Sequence, residues 1–105
     1  MSIDVRETTY KSVALLTTSS SPEIEISKYA WGVVAIPTGS TITTLTYFVA
    51  SPAGTYYAAQ DTAGAAVTQT VAADKSYPIP SVLFGASRIQ IRANSAGTVH
   101  ITLKS

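Results

Sequence analysis

The sequence contains no cysteine and a single histidine, His100, among 105 residues. Neither a disulfide framework nor a thiolate metal site can therefore form. Charge is scarce as well: Asp, Glu, Lys and Arg make up 12% of the residues, against ~25% in an ordinary soluble domain. Seven basic and six acidic residues leave a formal net charge of +1. They form no clustered basic patch of the kind nucleic acid requires, so no nucleic-acid partner is expected. No run of ~18 apolar residues reads as a membrane-spanning helix, and no membrane partner is expected. The opening MSIDVRETTYK is polar and carries both charge signs, unlike a signal peptide with its ~7–15-residue apolar stretch. Synthesis without export by a leader of its own is the expectation. Glycine loops that cradle phosphate are missing too.

What is present is apolar and hydroxyl-rich. Hydrophobic residues reach 46%, and threonine and serine supply the polarity that charge does not. Threonine favours strands, and a surface of hydroxyls suits either a plain threonine-rich sheet or a protein that sits against neighbours. The chain is long enough for one domain with a modest core and too short for two. Residues 1–7 lack a period and read as an N-terminal arm; residues 8–105 read as a single domain.

Residues 41–61, TITTLTYFVASPAGTYYAAQD, organise that domain. Residues 41–50 alternate without a break, Leu45, Tyr47 and Val49 against Thr44, Thr46 and Phe48. Ser51-Pro52-Ala53-Gly54 supplies a tight turn, and residues 55–60 return. Two apolar-leaning faces place this pair in the middle of a layered β structure. Before it, residues 8–17 suggest a first strand and residues 18–22 a break. Residues 23–27 alternate with Ile24 and Ile26 inward and Glu23 and Glu25 outward. Residues 29–36, YAWGVVAI, are apolar on both faces, and Gly32 marks a bulge or a close backbone approach.

After it, Val67, Gln69 and Val71 share one face. Residues 72–76 read as a polar connection, and Tyr77-Pro78-Ile79-Pro80 must be extended. Residues 81–84 form a helical turn that Gly85 is placed to end, seating Val82, Leu83 and Phe84 over one end of the core. Residues 88–93 and 98–104 put Ile89, Ile91, Val99, Ile101 and Leu103 inward and read as a closing hairpin. Its register sets Ile91 opposite Ile101 or opposite Val99, and the second avoids stacking like charges. About eight strands with almost no helix fold as a sandwich or barrel. Unequal strand lengths and the long irregular connection before the last pair favour an antiparallel, jelly-roll-like β-sandwich.

Chemistry is thinly supported. Nucleophilic catalysis needs a hydroxyl, a base and an orienting acid; His100 is the lone base, and alternation places it outward on a strand. Asp4, Glu7, Glu23, Glu25, Asp61 and Asp74 offer no enclosed carboxylate pair for glycoside hydrolysis. No cofactor and no side-chain metal site is expected, and the chain reads as non-enzymatic. Calcium held partly through backbone carbonyls would leave no trace in the sequence. Trp31, Tyr29, Tyr47, Tyr56, Tyr57 and Tyr77 could form a sugar-stacking platform or interface anchors. Alternatively, Trp31, Tyr47 and Phe48 fill the core while the other tyrosines cover its rim. Arg88 and Arg92, with His100 and Lys104 nearby, form a small basic stripe, either solvated or in contact with an acidic neighbour. The interface candidates are Tyr29, Tyr56, Tyr77, Arg88, Arg92 and His100.

Several stretches resemble those of small tailed-bacteriophage virion structural proteins. They are the turn-and-strand IPTGSTIT, the strands GTYY and AVTQTVAA, the plug YPIPSVLFG and the closing AGTVHITLK, spanning residues 31–104. GTYY and RIQIRA are also similar to strands of galactose-binding-like modules. The first resemblance implies a jelly-roll protein of the virion, a capsid decoration (cement) protein or a head or tail accessory. Its partner would be the major capsid protein or another virion protein, and it would assemble as a small homo-oligomer, a trimer among the candidates. The second implies a glycan-binding module. Neither carries catalytic residues to this chain.

Overall fold

The computed structural model describes residues 8–18 and 20–105; the expected arm at residues 1–7 lies outside them. Nine strands follow in order: β1 (Thr8–Leu15), β2 (Glu23–Glu25), β3 (Trp31–Ile36), β4 (Thr44–Ala50), β5 (Tyr56–Ala58), β6 (Thr68–Thr70), β7 (Lys75–Pro78), β8 (Arg88–Ala93) and β9 (Gly97–Lys104). A 3-10 turn, Ser81–Gly85, precedes β8. The strands form two antiparallel sheets. The first has the order β1-β9-β3-β7; the second runs β2-β8-β4-β5, with β6 also on β4. β5 and β6 share one edge of β4, β5 along Phe48–Ala50 and β6 along Thr44–Thr46. They act as one interrupted strand, so nine segments fill eight strand positions. The chain crosses between sheets at nearly every connection, which is the wiring of the expected jelly roll.

Alternation explains the core. Val13 and Leu15 of β1, Val34 and Ile36 of β3, and Val99, Ile101 and Leu103 of β9 point inward from the first sheet. Leu45 and Tyr47 of β4, Ile24 of β2, and Ile89 and Ile91 of β8 meet them from the second. Each such Ile or Leu, nearly solvent-free, contributes ~1.5–3 kcal/mol of burial. Tyr47 is fully buried, and its hydroxyl donates to Gln69 Oε1 at 2.5 Å. Gln69 Nε2 in turn donates to the Pro78 carbonyl at 2.6 Å, tying β6 of the second sheet to β7 of the first.

Gly32 is the close approach that its place in a strand implies. A Cβ there would sit 2.6 Å from the Thr102 carbonyl oxygen and 2.8 Å from Leu103 Cδ2. The 3-10 turn buries Leu83 and half-buries Phe84, but Val82 is exposed, so the plug is narrower than expected.

Two expectations fail. β8 and β9 do not pair with each other: β8 lies between β2 and β4, whereas β9 lies between β1 and β3 in the opposite sheet. The segment between them is an arch across the sandwich, not a hairpin turn, so neither expected register exists. Asn94 holds the arch. Its Oδ1 accepts from the backbone N–H groups of Thr43 (2.8 Å) and Thr44 (3.0 Å), and its Nδ2 donates to Thr43 Oγ1 (2.9 Å). The pair at residues 41–61 is also not wholly central: β4 is internal, but β5 is an edge strand of three residues.

Candidate functional site

The outer face of the first sheet is built in cross-strand rows. Thr8, Lys104 and Trp31 form one row, Tyr10, Thr102, Val33 and Pro78 the next, and Ser12, His100, Ala35 and Ser76 a third. Tyr10 is 76% exposed and Trp31 46%. The Lys104 ammonium stands 5.4 Å from the centroid of the Trp31 ring, a cation–π distance. A shallow groove of about 300 Å³ runs between β1 and β9 beside Tyr10 and His100. None of the described Asp or Glu side chains stands on this face: Glu23 and Glu25 belong to β2 and Asp61 and Asp74 to turns.

Ser12 Oγ and His100 Nδ1 lie 2.9 Å apart on this face. The pair is exposed, and no described Asp or Glu side chain orients the imidazole. β9 is paired on both sides, so its N–H groups are spent in the ladders. An oxyanion hole needs unspent donors. Among the described residues, the arrangement is a cross-strand hydrogen bond.

The outer face of the second sheet is more polar. Arg88 lies opposite Glu25 across β2, and its Nη1 is 3.4 Å from Glu23 Oε2. At this exposure such a pair contributes little, ~0–1 kcal/mol. The Tyr56 hydroxyl, shielded from solvent beside Glu23, lacks a partner at hydrogen-bond geometry. Burial first and the Glu23 carboxylate second raise its pKa above the ordinary phenol value. Further along, Gln90 is only 2% exposed although it points to the solvent side. Its Nε2 donates to the Ser21 carbonyl at 2.8 Å, and its Oε1 accepts from Arg92 Nε at 2.7 Å. The Arg92 guanidinium carbon sits 3.6 Å from the centroid of the Phe48 ring.

The interface candidates are thus scattered. Arg88 and Arg92 stand on the second sheet, but His100 and Lys104 stand on the first, so the basic stripe does not exist. Tyr29 and Tyr77 are half-buried and serve the fold. The Tyr29 hydroxyl meets Thr9 Oγ1 at 2.6 Å, and the Tyr77 hydroxyl accepts from the Ala72 N–H at 2.9 Å. Tyr47 is core as expected, whereas Trp31 is exposed and Phe48 lies under Arg92 on the outer face. Tyr10, absent from the sequence-based candidates, is the most exposed large apolar residue described. Its signal was available: Val13 and Leu15 inward put Tyr10 outward.

A cleft of about 440 Å³ opens between Ser51-Pro52 and Gly85-Arg88. Among the described residues, no three His, Asp or Glu side chains gather as metal ligands. No described helix is long and apolar enough to cross a membrane.

No family profile matches the sequence, and no curated protein matches it in sequence. A solved structure does match in shape, that of the SPBc2 prophage-derived protein YomS. The two share 15% identity at a TM-score of 0.67, over 100% of this chain and 99% of the other. The likeness establishes a shared fold over the whole length.

Proposed function

We propose that the chain is a non-enzymatic structural component of a bacteriophage particle, docking on the assembled surface as a decoration or cement protein. The observation that carries this reading is the outer face of the first sheet. It is hydroxyl-rich and free of described Asp and Glu side chains, with Tyr10 and Trp31 standing exposed on it. Interfaces draw their affinity from such aromatic anchors amid polar contacts that exclude water. The shared fold with a prophage-derived protein supports a phage setting. A cement protein binds the assembled lattice and not its dissociated subunits, and so stabilises the lattice by mass action. Association as a small closed homo-oligomer fits the role.

The test is co-sedimentation of the purified chain with particles of the phage that encodes it. Replacing both anchors, Tyr10→Ser with Trp31→Ser, costs about 2 kcal/mol or more, roughly thirtyfold in affinity. Wild-type affinity in the double variant overturns the role of this face. Light scattering behind a sizing column gives the oligomer order in solution.

A second reading, a glycan-binding module, is favoured by Trp31 and Tyr10 on a face lined by Thr8, Ser12 and Thr102. Trp31 is the only tryptophan, so its fluorescence reports on this face alone. A saturable change with an oligosaccharide, lost in Tyr10→Ser, supports that reading; silence across a broad panel removes it.

A further inference from the structure

Arg92 is held more firmly than a solvated strand residue needs to be. Three groups fix it in series. The Ser21 carbonyl holds Gln90, the buried Gln90 Oε1 accepts from Arg92 Nε, and the Phe48 ring supports the guanidinium plane from beneath. Burying a glutamine amide on the solvent side of a sheet is costly unless both ends are satisfied, and here both ends are. A guanidinium carries five N–H donors. Gln90 uses one, and the others find no acceptor among the described residues. Arg92 also makes no ion pair with a described carboxylate, unlike Arg88 beside it on the same strand. Its fork borders a groove of about 250 Å³ shared with Thr17, Thr44, Thr46 and Asn94.

We infer that Arg92 anchors a carboxylate-binding site on the outer face of the second sheet, and that it takes an Asp or Glu side chain of a neighbouring protein. A planar fork fixed by stacking and by one hydrogen bond is pre-organised for bidentate recognition of a carboxylate. The pre-organisation lowers the ordering cost that usually makes surface ion pairs weak. The size of the groove suits one side chain, since small-molecule pockets run from ~300 Å³ upward. A sugar acid would want an aromatic face to stack on, and the guanidinium already occupies that of Phe48. Phosphate, with its greater charge, is served by several cations or by free N–H groups. Here Arg92 is the only cation among the described residues lining the groove, and β4 and β8 are both paired on two sides. The site lies on the opposite side of the sandwich from Tyr10 and Trp31, so it stands or falls independently of docking through the first sheet.

The experiment is an NMR titration of the ¹⁵N-labelled full chain at fixed ionic strength, following the Arg92 Nε–H and the Thr46 amide. Four probes are compared: N-acetylglutamate N-methylamide, its glutamine counterpart, galacturonic acid and inorganic phosphate. The glutamate probe is expected to shift the Arg92 signal with an initial slope at least ~5 times that of the glutamine probe. In Arg92→Lys, which keeps the charge and loses the fork, the Thr46 response to glutamate should fall to the glutamine level. Phe48→Leu, which removes the ring support, should lower the Arg92 response at least ~2-fold. Equal slopes for the glutamate and glutamine probes overturn the site, as does an undiminished Thr46 response in Arg92→Lys. A stronger response to galacturonic acid or phosphate overturns the assignment to a protein side chain.

Discussion

Replacing Gly32 by alanine tests the packing account most directly, because two rules give opposite signs. In a strand, glycine is ordinarily worse than alanine by ~0.5–1 kcal/mol through backbone entropy, so the exchange should stabilise. Here the added methyl would lie 2.6 Å from the Thr102 carbonyl oxygen, 2.8 Å from Leu103 Cδ2 and 3.3 Å from Ile79 Cδ1. The first contact decides the outcome. A side chain can rotate away, but Thr102 belongs to β9, whose backbone is bound on one side to β1 and on the other to β3. Moving that carbonyl means stretching two ladders. Overpacking of this kind costs ~1–3 kcal/mol and sometimes more, and the rigid contact puts Gly32 at the upper end. After the entropic gain, a net loss of about 2 kcal/mol is expected, or ~8–16 °C in Tm for a domain of this size. Urea unfolding with an unchanged m-value measures it. Gly85→Ala serves as the control, since its Cβ would meet nothing within 4 Å, and a change within ~0.5 kcal/mol is expected there. A Gly32→Ala protein as stable as wild type would refute the reasoning that the backbone crossing leaves no room.

Asn94→Ala removes three hydrogen bonds that tie the arch to residues 43 and 44. It should cost about 1–2 kcal/mol by thermal unfolding; a loss of only a few tenths would point to an ordinary hairpin turn at that position. Tyr47→Phe deletes a buried hydroxyl bonded to Gln69 and should cost about 1 kcal/mol at neutral pH. Burial raises the Tyr47 pKa above its ordinary value of 10.0, so the folded state keeps that proton when the unfolded chain loses it. Stability therefore falls as pH rises above about 10, and alkaline denaturation of Tyr47→Phe should show a shallower fall than wild type. Glu25 accepts from the Ser27 hydroxyl and the Ser27 N–H, which lower its pKa. Its contribution is present above the unfolded pKa and is lost as pH falls through the lowered folded value. In Ser27→Ala the Glu25 carboxyl should titrate nearer the ordinary glutamate value by NMR, and an unmoved titration would remove the hydroxyl as the main cause.

Faces were legible in the sequence, and neighbours were not. Alternation at Ile24/Ile26, Leu45/Tyr47, Ile89/Ile91 and Val99/Ile101/Leu103 assigned each side chain to the core as found, because a buried face imposes a period of two. The same alternation cannot say whether two inward-facing runs lie side by side or across the core from each other. β8 and β9 have matching inward isoleucines in either arrangement, and what separates them is pairing with strands distant in sequence, together with the side-chain bonds of Asn94. Scattering of the basic stripe follows from that one ambiguity, since it moves Arg88 and Arg92 to the far side of the sandwich from His100. At residues 31–36 both faces are apolar, so hydrophobicity could not choose the inner one. The clue was Gly32: the face with the close backbone approach is the packed face, which turns Trp31 outward. The Arg92 clamp was out of reach, because Gln90 and Arg92 read as ordinary solvent-facing strand residues until Ser21 and Phe48 are placed beside them.

The edges of the sheets bear on how such a molecule can associate. An open strand edge invites pairing with another chain, and proteins blunt edges with short strands, proline or lysines directed inward. β1, the long edge of the first sheet, carries Lys11 in register with buried Ile101, on the core side. β7, the opposite edge, carries Lys75 in register with buried Ile36, and ends in Pro78. In the second sheet, β2, β5 and β6 are three residues each. A second strand laid against β1 or β7 would trap a lysine over the core and desolvate it at a cost of several kcal/mol. Edge-to-edge growth is therefore disfavoured throughout, and association is left to the sheet faces. The two faces differ in kind: one holds exposed aromatics and no described Asp or Glu side chain, the other a fixed guanidinium beside a paired Arg88 and Glu23. A molecule blunted at its edges and distinct on its two faces disfavours the open-ended edge pairing that runs on into fibres.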